Sequence, residues 1–245
     1  IYTFILAGFA QKGVCCASEL ASAALLSKNY EYEYEHLNNV EANPYIAFEK
    51  DFLRFMLSDG AGAFLIERNP NPKSLSLRIE WIEMTSYANE LPVCMYSGGE
   101  IQSDGYVKGW KEFETVELME RSILMIKQDI RVLKKYAIKY WVNHIASVLS
   151  KHHVDTQKID YVIPHVSSMF FYDLLDEELK NRNIDIPTNK WFTNLTSVGN
   201  VGSASIYIAL DELYHSEKLK KGETVLLLVP ESGRFSYGTV LLTVV

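Results

Sequence analysis

From residue 160 to the end of the chain, short apolar runs and amphipathic stretches take turns, and few architectures accept that order. The spacing predicts a strand at 160–164, a helix at 167–182, a strand at 190–194 and a helix from near Asn200 to 217. Strands at 223–230 and 237–245 close the series. Parallel strands joined through helices need crossover connections, and these lay the helices against the sheet faces. The pattern therefore predicts an α/β sheet covered on both sides.

The upstream part is less regular. Ile1–Ala10 has helix-like spacing, Gly13 punctuates it, and VCCASELAS (14–22) reads as a buried strand running into a polar turn. Residues 28–50, rich in Tyr, Glu and Asn, read as a surface excursion, and 48–56 as a short amphipathic segment. In LSDGAGAFLIE (57–67) a Gly-rich turn opens a strand. A second strand is expected at 75–86, after the Asn-Pro-Asn-Pro turn at 69–72. Residues 94–109 read as a glycine-bearing loop, and 114–151 as more than one helix.

Composition narrows the function classes. The 245 residues are 48% hydrophobic with a net charge of −7, so the chain as a whole lacks the basic footprint of a nucleic-acid binder. Three cysteines, Cys15, Cys16 and Cys94, make neither a disulfide framework nor a zinc site; a reducing, cytoplasmic setting is expected, with no metal and no cofactor. No apolar run approaches the roughly 18 residues that span a bilayer.

Four segments carry a resemblance. LSDGAGAFLIE is similar to the GDGAGA strand-turn of ketoacyl synthase III-type condensing enzymes of the thiolase superfamily, and VIPHVSS (162–168) to their VPHQAN segment. GNVGSASIYIALDEL (199–213) resembles their GNTSAAS…ALDE helix. GETVLLLVPESGRFSYGTVLLTV (222–244) resembles their closing hairpin. The order is the family's own. The longer phrases FEKDFLRFMLSDGAGAF, IEWIEMTSYANELPVCMY and LLLVPESGRFSYG are similar to the branch that forms dialkylcyclohexanediones and dialkylresorcinols.

The resemblance implies a thiolase-like layered fold (α/β/α/β/α). Residues 1–112 would be the remainder of an N-terminal lobe, incomplete in this chain, and 113–245 a C-terminal lobe carrying His165 and Asn200. It implies a Claisen condensation of an acyl thioester with a β-ketoacyl thioester, carried on CoA or acyl carrier protein, in a homodimer. A thiolate carries the acyl group, dividing one hard step into two. Donors aimed at the second thioester's oxygen then stabilise its enolate. By the resemblance His165 and Asn200 supply those donors, and Gly233 matches the oxyanion-hole glycine. Read without it, His165 is a structural hydrogen-bonder at a strand end and Asn200 a helix N-cap. A nucleotide reading of DGAGA fails, because a dinucleotide fingerprint must open a helix.

The nucleophile has two registers. In one, Cys15 or Cys16 sits at the N-terminus of a helix at ELASAALLSK, where the dipole would favour a thiolate. In the other, VCCASELAS is the strand that follows the nucleophile's helix in the family, and the cysteine lies upstream of residue 1. The second accounts for more, including the Ser-Glu after the strand and the absence of an initiating methionine. Its rival as a whole is a catalytically silent partner subunit; a true thiolase would want a cysteine in the closing hairpin, and none follows Cys94. Two departures stand out: Ser168 replaces the family's asparagine, and Glu231 with Ser232 replaces an aromatic and a glycine before Gly233. The carboxylate could tune the site toward a ketoacyl co-substrate or pair with Arg234.

Overall fold

A computed structural model of the chain describes residues 1–31, 53 and 55–245. The excursion expected at 28–50 and the amphipathic segment at 48–56 fall largely outside the described residues. Ten strands are seen among them. Lys12–Glu19 (β1) and Gly60–Glu67 (β2) form an antiparallel pair. Leu77–Ser86 (β3) belongs to a four-stranded sheet with Tyr161–Pro164 (β8), Thr224–Glu231 (β9) and Ser236–Val244 (β10), in the order β3-β10-β9-β8. Only β8 and β9 run parallel; the other neighbours are antiparallel. The sheet thus draws β3 from well ahead of residue 112.

Period-two alternation explains how this sheet is covered. Val162, Leu226 and Leu228 point to one face. There they meet Trp141, Ile145 and Leu149 of the helix Ile130–Lys151, and Leu175 and Leu179 of Met169–Asn181. Ile163, Val225 and Leu227 point the other way, against Ile206, Leu210 and Leu213 of Ser205–His215. The first turn, Tyr2–Leu6, is α1, and the three longer helices are α2, α3 and α4 in chain order. Each fully buried Leu or Ile contributes about 1.5–3 kcal/mol relative to exposure, so both faces stabilise the sheet. Asp129 starts α2, its carboxylate accepting from the amides of Arg131 (2.9 Å) and Val132 (3.0 Å).

Three expectations need correction. Residues 190–194 do not form a strand: after a 3₁₀ turn at Thr188–Lys190, Trp191 makes a single parallel bridge to Val162 and the chain leaves the sheet edge. The loop expected at 94–109 holds short pairings instead. Met95–Tyr96 (β4) pairs with Lys127–Gln128 (β7), and Gly99–Ile101 (β5) with Val107–Gly109 (β6). The third concerns the cysteines. Cys15 and Cys16 are not both buried, because neighbours on a strand must face opposite sides; Cys15 is half-buried and Cys16 exposed. Cys94 is fully buried.

Candidate active site

The end of β8 delivers His165. Its backbone amide donates to the carbonyl of Leu228 (2.9 Å), extending the β8–β9 ladder by one residue and fixing where the imidazole starts. The side chain is partly buried. Burial pulls its pKa down from 6.5 to about 4, so the ring is neutral at ordinary pH. Neither ring nitrogen has a hydrogen-bond partner among the described residues, leaving one N–H to give. The imidazole lines a cavity of about 20 Å³, shared with Ile163, Thr193, Asn194, Gly199 and Ser205. That is room for about one water molecule.

Asn200 directly follows Gly199, which lines this cavity, while Asn200 itself lies just outside its lining. The helix does not begin at Asn200, as its sequence suggested. A short helix, Leu195–Val198, ends at Gly199, and a 3₁₀ turn at Gly202–Ala204 leads into α4. Gly199 has φ +86°, and a Cβ there would lie 2.2 Å from the Ser58 hydroxyl, so only glycine lets the two segments meet. They do meet: Asn200 bridges Leu57, and its carbonyl accepts from the Ser58 amide (2.7 Å). The side-chain Oδ1 of Asn200 accepts from the Gly202 amide (3.1 Å). With the oxygen held, Nδ2 has no hydrogen-bond partner among the described residues. Asn200 is therefore not the cap of α4; its residue is buried and its amide nitrogen is a donor held ready.

Gly233 sits in the β9–β10 turn, its carbonyl accepting from the Cys94 amide (2.9 Å). Its own amide donates to Glu231 Oε1, and the Arg234 amide donates to both Glu231 oxygens at 3.2 and 3.1 Å. The turn is thus a small anion nest filled by the chain's own carboxylate. Glu231 is exposed and makes no buried ion pair with the Arg234 side chain, whose guanidinium instead donates to the Ala88 carbonyl. The sequence flagged Glu231 as a departure but not where it would point. An oxyanion can reach the Gly233 amide only by displacing that carboxylate. In E231Q the Gly233 amide proton is expected to move upfield and to exchange about tenfold faster, since a hydrogen bond to a charged group contributes about 1.5–3 kcal/mol. Amide NMR reads this directly; an unmoved Gly233 signal would sink it.

The cysteines are not placed as helix-end nucleophiles. Cys15 and Cys16 lie mid-strand in β1, and the Cys15 thiol lies 2.9 Å from the Tyr207 hydroxyl. That phenol is pushed up to about 12, mainly by burial. Among the described residues no group of His, Cys, Asp and Glu could hold a metal ion, and no helix is long and apolar enough to cross a membrane.

Residues 149–244 match the family model described as 3-oxoacyl-(acyl-carrier-protein) synthase III C terminal, the stretch that holds β8, α4 and the closing hairpin. The structure of 3-oxoacyl-(acyl-carrier-protein) synthase III from Aquifex aeolicus superposes with a TM-score of 0.66 at 23% identity, covering 98% of this chain and 60% of that one. OleA of Xanthomonas campestris, solved with lauric acid and lauroyl-CoA, gives 0.72 at 17% identity with the same coverage. The fold is thiolase-like. In sequence, the thiolase-like chain is 31% identical over 121 residues to a beta-ketoacyl-(acyl-carrier-protein) synthase III of Clostridium kluyveri. It spans 36% of the length of that relative.

Proposed function

We propose that this chain carries the enolate-stabilising part of a ketoacyl synthase III-like condensing site. The observation that carries the reading is the pair of uncommitted donors. His165 is held neutral beside a small cavity that Gly199 also lines, and the next residue along, Asn200, has its side-chain oxygen tied back by Gly202. Two neutral N–H donors aimed at a thioester oxygen stabilise an enolate without the proton loss an imidazolium would invite. The similarity to synthase III relatives supports the same chemistry.

In this reading a cysteine thiolate displaces CoA or carrier thiolate from an acyl thioester and holds the acyl group. A β-ketoacyl thioester then gives up its α-proton, which is balanced by the CoA or carrier thiolate displaced in the first step leaving as the thiol, and its enolate oxygen accepts from His165 and Asn200. The enolate carbon attacks the acyl carbonyl, and collapse returns the thiolate. The nucleophile is a cysteine outside these 245 residues, because Cys15 and Cys16 are mid-strand and Cys94 is buried. A homodimer and a cyclohexanedione- or resorcinol-forming pathway are part of the proposal and rest on the phrases quoted above.

Intact mass of the full natural chain after incubation with a medium-chain acyl-CoA tests this. One acyl unit is expected, on a peptide outside residues 1–245, released when a β-ketoacyl thioester is added. An adduct on Cys15 or Cys16 would overturn the nucleophile assignment. No adduct at all would favour a silent partner subunit.

A further inference from the structure

We propose that Glu19 is a positioning residue for Asn200, acting across the boundary between the two sheets; the proposal rests on the condensing-site reading above. Glu19 is the last residue of β1, a strand separated from the Asn200 turn by some 180 residues of chain. Its Oε1 accepts from both the backbone amide (3.0 Å) and the hydroxyl (2.7 Å) of Ser203. The same oxygen fills the space beside Gly202: a Cβ on that residue would lie 2.9 Å from it, and Gly202 has φ +52°.

The consequence passes through one residue. Gly202 and Ser203 present consecutive amides at the start of the 3₁₀ turn. The first donates to Asn200 Oδ1 and the second to Glu19. Glu19 thus anchors the peptide that follows Gly202, and the Gly202 amide in turn holds the Asn200 carboxamide by its Oδ1. The Ser58 amide, from the segment leading into β2, holds the Asn200 carbonyl at the same time. The turn that carries Asn200 is therefore held from β1 and from the segment leading into β2, although neither contributes a donor to the reaction. The negative charge suits the position, since Glu19 also lies at the start of the turn that runs into α4. Charge-assisted hydrogen bonds of this kind are shorter and stronger than neutral ones. Glutamine at this position keeps the reach and loses the charge; alanine loses both.

The test uses the full natural chain with E19A, E19Q and N200A, alone and combined. E19A is expected to slow condensation by roughly tenfold to a hundredfold, the scale of misplacing a reacting group by about an ångström. Acyl transfer to the thiolate and the KM for the acyl donor are expected to change little, and E19Q to fall between E19A and the parent. In the N200A background E19A should cost nothing further, because the residue it positions is gone. The Asn200 side-chain amide resonances are expected to shift in E19A and partly in E19Q. Unmoved Asn200 resonances, or an E19A cost that multiplies with that of N200A, would overturn the positioning role. If N200A itself condenses normally, the condensing-site reading fails, and the amide resonances still decide whether Glu19 holds Asn200.

Discussion

H165A is expected to slow carbon–carbon bond formation by about a hundredfold or more, with acyl loading of the thiolate nearly unchanged. Removing one donor from an oxyanion-stabilising pair typically costs that much. The split between steps follows from position: His165 faces a cavity shared with the Asn200 turn, not the Gly233 turn, where the acyl-enzyme carbonyl is expected to bind. N200A should behave alike. N200D should be worse than N200A, because a carboxylate there would repel the enolate it replaces a donor for. The low pKa of His165, about 4, adds a condition. Its donor form persists to well below neutrality, so the condensation rate should show no histidine titration between pH 8 and 5.5. Single-turnover condensation from preloaded acyl-enzyme checks all of this. Equal losses in loading and condensation, or a rate that tracks a pKa near 6.5, would remove His165 from the enolate site.

Much of this arrangement is legible in the sequence because it is local. The apolar runs at β8, β9 and β10 and the 3.6-residue spacing of α4 report which faces are buried, and the closing hairpin sits where its Gly-bearing turn puts it. The Trp191 segment misleads because a short aromatic and β-branched run, Trp191-Phe192-Thr193, at a sheet edge reads like a strand whether it pairs once or throughout. The start of α4 misleads for a different reason. Asn200 is a favoured cap residue in a favoured context, but the contact that decides its role is with Gly202 and, beyond it, with Glu19. Contacts such as Glu19–Ser203 and Cys15–Tyr207 join residues more than 180 positions apart. No periodicity encodes them. The neutrality of His165 is likewise a property of its enclosure rather than of its neighbours in sequence.

That enclosure has a cost which appears in acid. His165 titrates near 4 when folded and near 6.5 when exposed, so between those values the unfolded chain takes up a proton that the folded chain declines. Stability is complete above about pH 6.5 and falls as pH drops toward 4. The full loss is about 3 kcal/mol, from 1.36 kcal/mol per pH unit over the shift. His144 pulls the same way. It is buried on the opposite side of the sheet, its ring nitrogens 3.0 Å from the Thr85 and Thr239 hydroxyls, and burial lowers its pKa too. Carboxylates held low in the fold contribute in a separate window. Asp59, accepting from Ser22, and Glu83, accepting from Lys151 and His152, lose their contribution only as pH falls through the carboxylate range, below about 4.5. The interval from pH 6.5 to 5 therefore isolates the histidines. Urea unfolding across that interval should show stability declining with acid, and H165Q, which removes one titrating group while keeping a polar side chain, should flatten the slope. A parent protein with constant stability over pH 6.5 to 5, or an H165Q variant with the parent's slope, would show that His165 is not held neutral by the fold, and the donor role argued for it would lose its physical basis.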